Sequence, residues 1–298
     1  MIWLIYLVIG CFIWGTLIER FLFTYKQQEV FVLPKGSPEI RILHISDVHM
    51  APWQRSKQAF IKELGGKVKP DLVINTGDNL GHKDGIKAVL ESYKDLSGPG
   101  VFVYGSNDIY APVMTNPLSY LIHPSERHRG DAPESILDYQ ELAKGFENLG
   151  WQDLNNQEAT INIKGLNIGF IGTDDPHEGR ADLVSIAKSK SKLVSADVIL
   201  GVTHAPYLKV LETFSEADVD MVFAGHTHGG QVCFPLTGRA LVTNCDLPTK
   251  YARGLHSIKF KGKELLVSIC AGLGNSIYAP VRISCRPEVR VITLKAKS

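Results

Sequence analysis

The sequence predicts an α/β fold led by one hydrophobic helix, on three observations. Short Val/Ile/Leu runs alternate with amphipathic helical stretches, as strand–helix–strand units do in a parallel sheet. Several of those runs stop at a carboxylate, imidazole or amide able to hold a metal. The first segment, by contrast, is apolar on every face.

Residues 2–18 are apolar apart from Gly10, Gly15 and Thr16, and Phe21-Leu22-Phe23 extends the stretch past Glu19-Arg20. This is the short end of the membrane-spanning range, with Arg20 able to snorkel to the headgroups. No Lys or Arg precedes the run and no small-residue cleavage site follows it, so a cleaved signal peptide is not expected. Residues 1–25 are therefore expected to form a single-pass transmembrane anchor in the cell membrane, residues 26–39 a linker and residues 40–298 the catalytic domain. Arg20, Lys26 and Lys35 all follow the segment, and the positive-inside rule turns this into a small bias toward a cytoplasmic domain.

Within the domain, strands are predicted at residues 40–46, 72–76 and 101–104. Helices at 55–64 and 86–96 separate them, with apolar residues recurring every three or four positions. Strands at 198–203, 221–224, 265–270 and 289–294 would build a second sheet. In such a fold the functional residues collect at the carboxyl edge of the parallel strands. There the first strand runs into Asp47-Val48-His49, the second into Gly77-Asp78-Asn79 and the third into Gly105-Ser106-Asn107-Asp108. The strand at 198–203 meets His204, and that at 221–224 runs into Gly225-His226-Thr227-His228-Gly229-Gly230. Two imidazoles two residues apart in a Gly-flanked turn can each ligate a different ion of a close pair. Carboxylate, imidazole and amide donors suit Mn, Fe or Zn, and the lack of thiolates argues against a structural zinc.

In order and spacing these motifs resemble those of the calcineurin-like metallophosphoesterases, from about residue 40 to the C-terminus, and more narrowly a bacterial branch with a hydrophobic N-terminus. The resemblance implies two mixed sheets stacked as a sandwich with helices outside, and two divalent ions (Mn2+, Fe2+/Fe3+ or Zn2+). It implies that Asp47, His49 and His228 bind the first ion, that Asp78 bridges both, and that His204 and His226 bind the second. Two ions roughly 3.5–4 Å apart would activate a bridging water and hold a phosphoryl oxygen in line with it, cleaving a phosphoester or pyrophosphate.

The third motif departs from the family pattern. Where Gly-Asn-His-Asp/Glu is usual, Ser106 stands at the Asn position and Asn107 at the His position. Either Ser106 is a weak or water-mediated ligand, or a small backbone shift lets Asn107 reach the second ion, its amide oxygen being the better neutral donor. In both cases the usual general-acid His is missing, a group typically worth about 10²–10⁴-fold. His82, past the Gly77-Asp78-Asn79 turn, and His177, after an apolar strand at 168–171, are candidate substitutes, with an ordinary loop role as the alternative. Asn79, Tyr110 and Arg127 are candidate substrate contacts. The last two lie in a long Pro-containing connection of the kind that forms lids or binding loops, or simply packs on the surface. His44 is read as a core or supporting residue.

The 298 residues fit one α/β domain with a short extension, and Lys+Arg 32 against Asp+Glu 31 offers no basic field for nucleic acid. Cys233, Cys245, Cys270 and Cys285 match no zinc or redox spacing. The leading function is a membrane-held phosphohydrolase. Its phosphorylated substrate would be lipid-linked by analogy with the UDP-sugar-lipid pyrophosphatases of the wider branch. The alternatives are a phosphodiesterase acting on soluble nucleotides or cell-wall polymers, and a catalytically impaired metal-binding scaffold. The altered third motif suggests the scaffold; retention of all six Asp and His ligand types argues against it.

Overall fold

The computed structural model describes residues 2–112, 136–275 and 278–297. The first sheet runs β1 (Thr24–Leu33), β12 (Glu288–Ala296), β2 (Ile40–Ile45), β3 (Leu72–Asn75), β4 (Gly100–Phe102) and β5 (Trp151–Asp153). The second runs β10 (Gly254–Phe260), β11 (Lys263–Ile269), β9 (Met221–Ala224), β8 (Val198–Val202), β7 (Leu166–Gly172) and β6 (Glu158–Ile163). Both are mixed: β2 through β5 are parallel, as are β7, β8, β9 and β11, while β12 runs against β2, β6 against β7 and β10 against β11.

The pleat explains the stacking. On β2, Ile40 and Ile42 turn inward with Leu72 and Ile74 of β3, against Phe170, Leu200, Met221 and Phe223 of the other sheet. Leu43 and Ile45 turn outward and are covered by Ile61 and Leu64 of α2 (Arg55–Val68), Val89 of α3 (Ile86–Tyr93) and Phe146. In the second sheet Ile171, Val222 and Ala224 turn outward to Ile186, Leu211 and Phe214. With both faces of each sheet covered, the strands read as continuous apolar runs rather than alternating ones. Each fully buried Leu, Ile or Phe contributes roughly 1.5–3 kcal/mol.

Three sequence expectations change. The strand at 289–294, expected in the second sheet, is β12 of the first, pairing antiparallel with β2 from Leu294↔Ile40 to Arg290↔His44. Which sheet a strand joins depends on contacts distant in sequence, and an apolar run does not encode it. The stretch 26–39, expected as a linker, carries most of β1, which pairs in parallel with β12 from Thr24↔Glu288 to Leu33↔Ala296. Val30, Val32 and Leu33 are buried there, while the polar first half of β1 faces solvent at the sheet edge and disguises the strand.

The third change concerns the anchor. The hydrophobic segment forms α1 (Ile2–Leu17), about 24 Å long at 1.5 Å per residue, against a hydrocarbon core of about 30 Å. No helix among the described residues is long and apolar enough to cross a membrane, and α1 is shorter than the anchor expected of residues 1–25. The helix is cut short because the chain turns back onto the domain. Buried Glu19 accepts hydrogen bonds from the backbone N–H groups of Cys285 (2.7 Å) and Ser284 (3.0 Å) and from Trp14 Nε1 (2.9 Å), and Arg282 N–H donates to Gly15 O (3.1 Å).

Candidate metal centre

The carboxyl ends of β2, β3 and β4 in one sheet and of β8 and β9 in the other open onto one cleft. Asp47, His49, Asp78, His226 and His228 all have left-handed backbone, with φ of 46°, 43°, 56°, 67° and 50°. Such conformations cost energy for residues with a Cβ and gather where surrounding structure enforces them. Here the enforcement is visible. Asp47 N–H donates to Gly77 O and His49 N–H to Asp78 O, each at 2.9 Å, locking the first two strand tips together. Buried Lys57 ties the same turn down by donating to Val48 O at 2.6 Å. A Cβ on Gly105 would strike Asp78 Oδ1 and His204 Cε1, and one on Gly225 would strike Ser46 Oγ and Asp47 Oδ2, so the motif glycines allow the strand tips to close in.

Ligand atoms of Asp47, His49, Asp78 and His228 lie within 4.8 Å of one another. His49 Nε2 is 3.2 Å from His228 Nε2 and 3.3 Å from Asp78 Oδ2, and His228 Nε2 is 3.6 Å from Asp47 Oδ1. On the other side of Asp78, its Oδ1 is 3.7 Å from His204 Nε2, which in turn is 3.2 Å from His226 Nδ1. Asp78 thus faces two pairs of imidazoles, one with each oxygen.

The chemistry of this donor set fits divalent cations. A carbonyl oxygen can only accept, so each ring nitrogen that meets one carries the proton. His228 Nδ1 meets Gly274 O (3.2 Å), His204 Nδ1 meets Thr76 O (2.7 Å) and His226 Nε2 meets Asn244 O (3.0 Å). In the neutral rings these bonds leave His228 Nε2, His204 Nε2 and His226 Nδ1 as bare lone pairs aimed into the cleft. Such outer hydrogen bonds are how proteins fix the tautomer and angle of a metal-binding histidine.

Burial pushes His49 down to about 4 and holds His226 and His228 well below the ordinary imidazole range, so these rings are neutral donors. Burial also opposes charge on His204, but Asp78, Asp175 and Asp47 outweigh it and push that imidazole up to about 9. Asp78 is desolvated too, yet His204, His49 and the hydrogen bonds of Asn107 hold it well below the usual carboxylate range. Asp47 is pushed up to about 6, mainly by burial.

At the altered third motif, Asn107 is the second residue of the short helix α4 (Ser106–Ile109), with its backbone N–H on Asp78 Oδ1 and its Nδ2 on Asp78 Oδ2, both at 2.8 Å. The side chain at the position usual for the acid therefore grips the central carboxylate, while Ser106 is buried beside it. Of the two candidate substitute acids, His177 is brought to the site. Its ring centroid is 4.6 Å from that of His226, and its Nδ1 is 2.9 Å from Tyr207 Oη. His82 is not brought there; its partners are Asp84 and Trp53.

Asn79 does not serve as a substrate contact. It is fully buried, and its amide is spent on Asn75, Tyr93 and Asp108. Tyr110 is half-buried just after α4, and Arg127 lies outside the described residues. His44 is buried, with Nε2 3.1 Å from Thr76 Oγ1 and its ring edge-on to Phe223.

Two residues that hold the site escape a sequence reading. Asp108 accepts backbone N–H groups of Asp78 (2.9 Å), Asn79 (2.7 Å) and Gly105 (3.1 Å), fixing the second and third strand tips against each other. Its place in the third motif was a usable signal. Arg282 is fully buried, and its guanidinium donates to Ala271 O (2.8 Å) and Gly274 O (2.5 Å), the latter being the carbonyl that orients His228. Nothing in the surrounding Ala-Pro-Val-Arg-Ile sequence announces that role.

Residues 40–230 match the calcineurin-like phosphoesterase family, so the chain belongs to that family and is a metal-dependent phosphoester hydrolase by class. It is 25% identical over 269 residues to an uncharacterized metallophosphoesterase of Aquifex aeolicus, covering 89% of this chain and 88% of that one. It is 26% identical over 292 residues to the UDP-2,3-diacylglucosamine pyrophosphatase LpxG of Chlamydia muridarum, covering 85% and 83%. Among solved structures, a novel archaeal phosphodiesterase matches with a TM-score of 0.40 and 14% identity over 78% of this chain and 84% of that one. That likeness carries nothing about chemistry.

Proposed function

We propose that the chain hydrolyses a pyrophosphate or an activated phosphodiester, with a lipid-linked substrate, using two divalent ions held on either side of Asp78. The observation that carries this reading is the pair of imidazole couples, His49 with His228 and His204 with His226, flanking the two oxygens of one buried carboxylate. Asp47, His49 and His228 would hold the first ion, His204 and His226 the second, and Asp78 both. When bound, such a pair supplies an activated water and neutralises charge on the phosphoryl group. Asn107 holds the orientation of Asp78 through its two hydrogen bonds.

The preference for pyrophosphates and activated diesters follows from position 107. A carboxamide cannot protonate a departing alkoxide. A phosphate monoester leaving from a pyrophosphate has its own second pKa near about 6 and needs no such help. The LpxG relatives act, by name, on a diacylglucosamine pyrophosphate linkage, which supports the same class here.

The test compares hydrolysis of bis-p-nitrophenyl phosphate, an unactivated dialkyl phosphodiester and a synthetic UDP-acylglucosamine by the full chain loaded with Mn2+. Turnover of the pyrophosphate is expected to exceed that of an unactivated alkyl diester by at least about 10²-fold, and Asp78→Ala is expected to abolish both. Equal rates for good and poor leaving groups would reject the argument from Asn107.

A further inference from the structure

A cavity of about 590 Å³ opens where α1 meets the domain, and Trp14, Glu19, Lys26, Arg253, Arg286 and Glu288 are among its walls. Its two carboxylates are already committed. Glu19 holds the backbone of Ser284 and Cys285, and Glu288 is paired with Arg290 at 3.0 Å. Lys26, Arg253 and Arg286 have no ion-pair partner among the described residues, and Lys26 and Arg286 are exposed. The walls therefore carry three cations against two carboxylates, one of which is already paired with Arg290, which leaves a net positive charge with room for a ligand.

The same spot is the foot of an uncovered apolar helix. Trp3, Tyr6, Phe12, Ile13 and Leu17 of α1 are exposed, with Trp3 81% and Leu17 65% accessible. A contiguous apolar surface of this kind marks a contact with another phase or partner. Trp14, which lines the cavity, is the residue type favoured at the level of lipid headgroups. Exposed apolar side chains along α1, with cations lacking an ion-pair partner at its foot, match the layering of one leaflet, hydrocarbon next to phosphate.

We propose that this cavity binds the phosphate headgroup of an anionic membrane lipid while α1 is seated in the hydrocarbon of the same leaflet. The proposal extends the lipid-linked part of the functional reading and uses none of the metal-binding residues. It also gives the short helix a use that does not require crossing the bilayer. Because the hydrogen bonds of Glu19 and Arg282 join α1 to the loop behind His228, a lipid held here would fix the mouth of the metal site at the membrane surface.

The experiment measures co-sedimentation of the full chain with phosphatidylcholine vesicles, with and without phosphatidylglycerol, for the wild type and the Lys26→Glu/Arg286→Glu variant. Phosphatidylglycerol is expected to tighten binding, and the variant to lose at least about 25-fold of that gain, roughly fivefold for each cation near a charged surface. Hydrolysis of bis-p-nitrophenyl phosphate should be unchanged, which shows that the variant is folded and separates this proposal from the enzymatic one. No binding to either vesicle, equal binding to both, or an unaltered preference in the variant would each overturn it. So would saturation of the site by glycerol 3-phosphate in solution, read as a change in tryptophan fluorescence, since a lipid site should bind the free headgroup only weakly.

Discussion

At the residue scale, three imidazoles of the candidate site, His204, His226 and His228, are each aimed by a backbone carbonyl, and the carboxylate between the two imidazole pairs is aimed by Asn107 and the Asp108-braced turn. His204 is the most informative of these groups. Raised to about 9 by Asp78, Asp175 and Asp47 against the pull of burial, it is protonated at neutral pH until a cation displaces the proton. Proton and metal compete, so affinity for the second ion is expected to rise about tenfold per pH unit between pH 7 and 9 and to level off above that. Calorimetric titration with Mn2+ in two buffers of different ionisation enthalpy should show about one proton released at pH 7.5, and His204→Gln should remove it. Metal binding with no proton release would contradict a protonated His204 in the metal-free site.

The convergence of the candidate ligand residues was legible from sequence because each lies in a short motif at the end of an apolar run, where local spacing says enough. Asp47, His49, Asp78, His204, His226 and His228 all converge as their motifs suggest. What was not legible is what aims them. The carbonyls of Thr76, Gly274 and Asn244 carry no side-chain signature, and Arg282 acts across some fifty residues. Asn79 was misread for a related reason. Its neighbour in sequence faces the cleft, while its own side chain turns into the buried Asn75–Tyr93–Asp108 network.

At the scale of elements, the N-terminal region belongs to the domain rather than preceding it. β1 closes the edge of β12, places Val30, Val32 and Leu33 in the core between the sheets, and is reached through the Glu19 turn that grips the 284–285 backbone. A fragment beginning at Pro34 would lose three buried aliphatic side chains, together worth about 6 kcal/mol, from a total stability of about 5–15 kcal/mol. That fragment is expected to be insoluble or to melt more than about 10 °C below the full chain by circular dichroism. Removal of residues 1–17 alone, which spares β1 and Glu19, should cost much less. Equal melting of the Pro34 fragment and the full chain would contradict the packing described for β1. Sequence hid this strand because its first half is polar where it faces solvent, the pattern also expected of a linker.

At the scale of the whole molecule, two stacked sheets bring five strand ends to one line, three from the first sheet and two from the second. Asp47, His49, Asp78 and Asn107 come from one sheet, and His204, His226 and His228 from the other, so the sandwich itself assembles the donor set. The proposed function requires a two-ion centre bridged by Asp78. The most direct measurement is the metal content of the full chain after equilibration with Mn2+ and gel filtration, by elemental mass spectrometry, beside Asp78→Ala, His49→Ala and His226→Ala. Two ions per wild-type chain, about one in each histidine variant and neither tightly held in Asp78→Ala is the expected pattern. A single ion in the wild type, or two retained without Asp78, would contradict it.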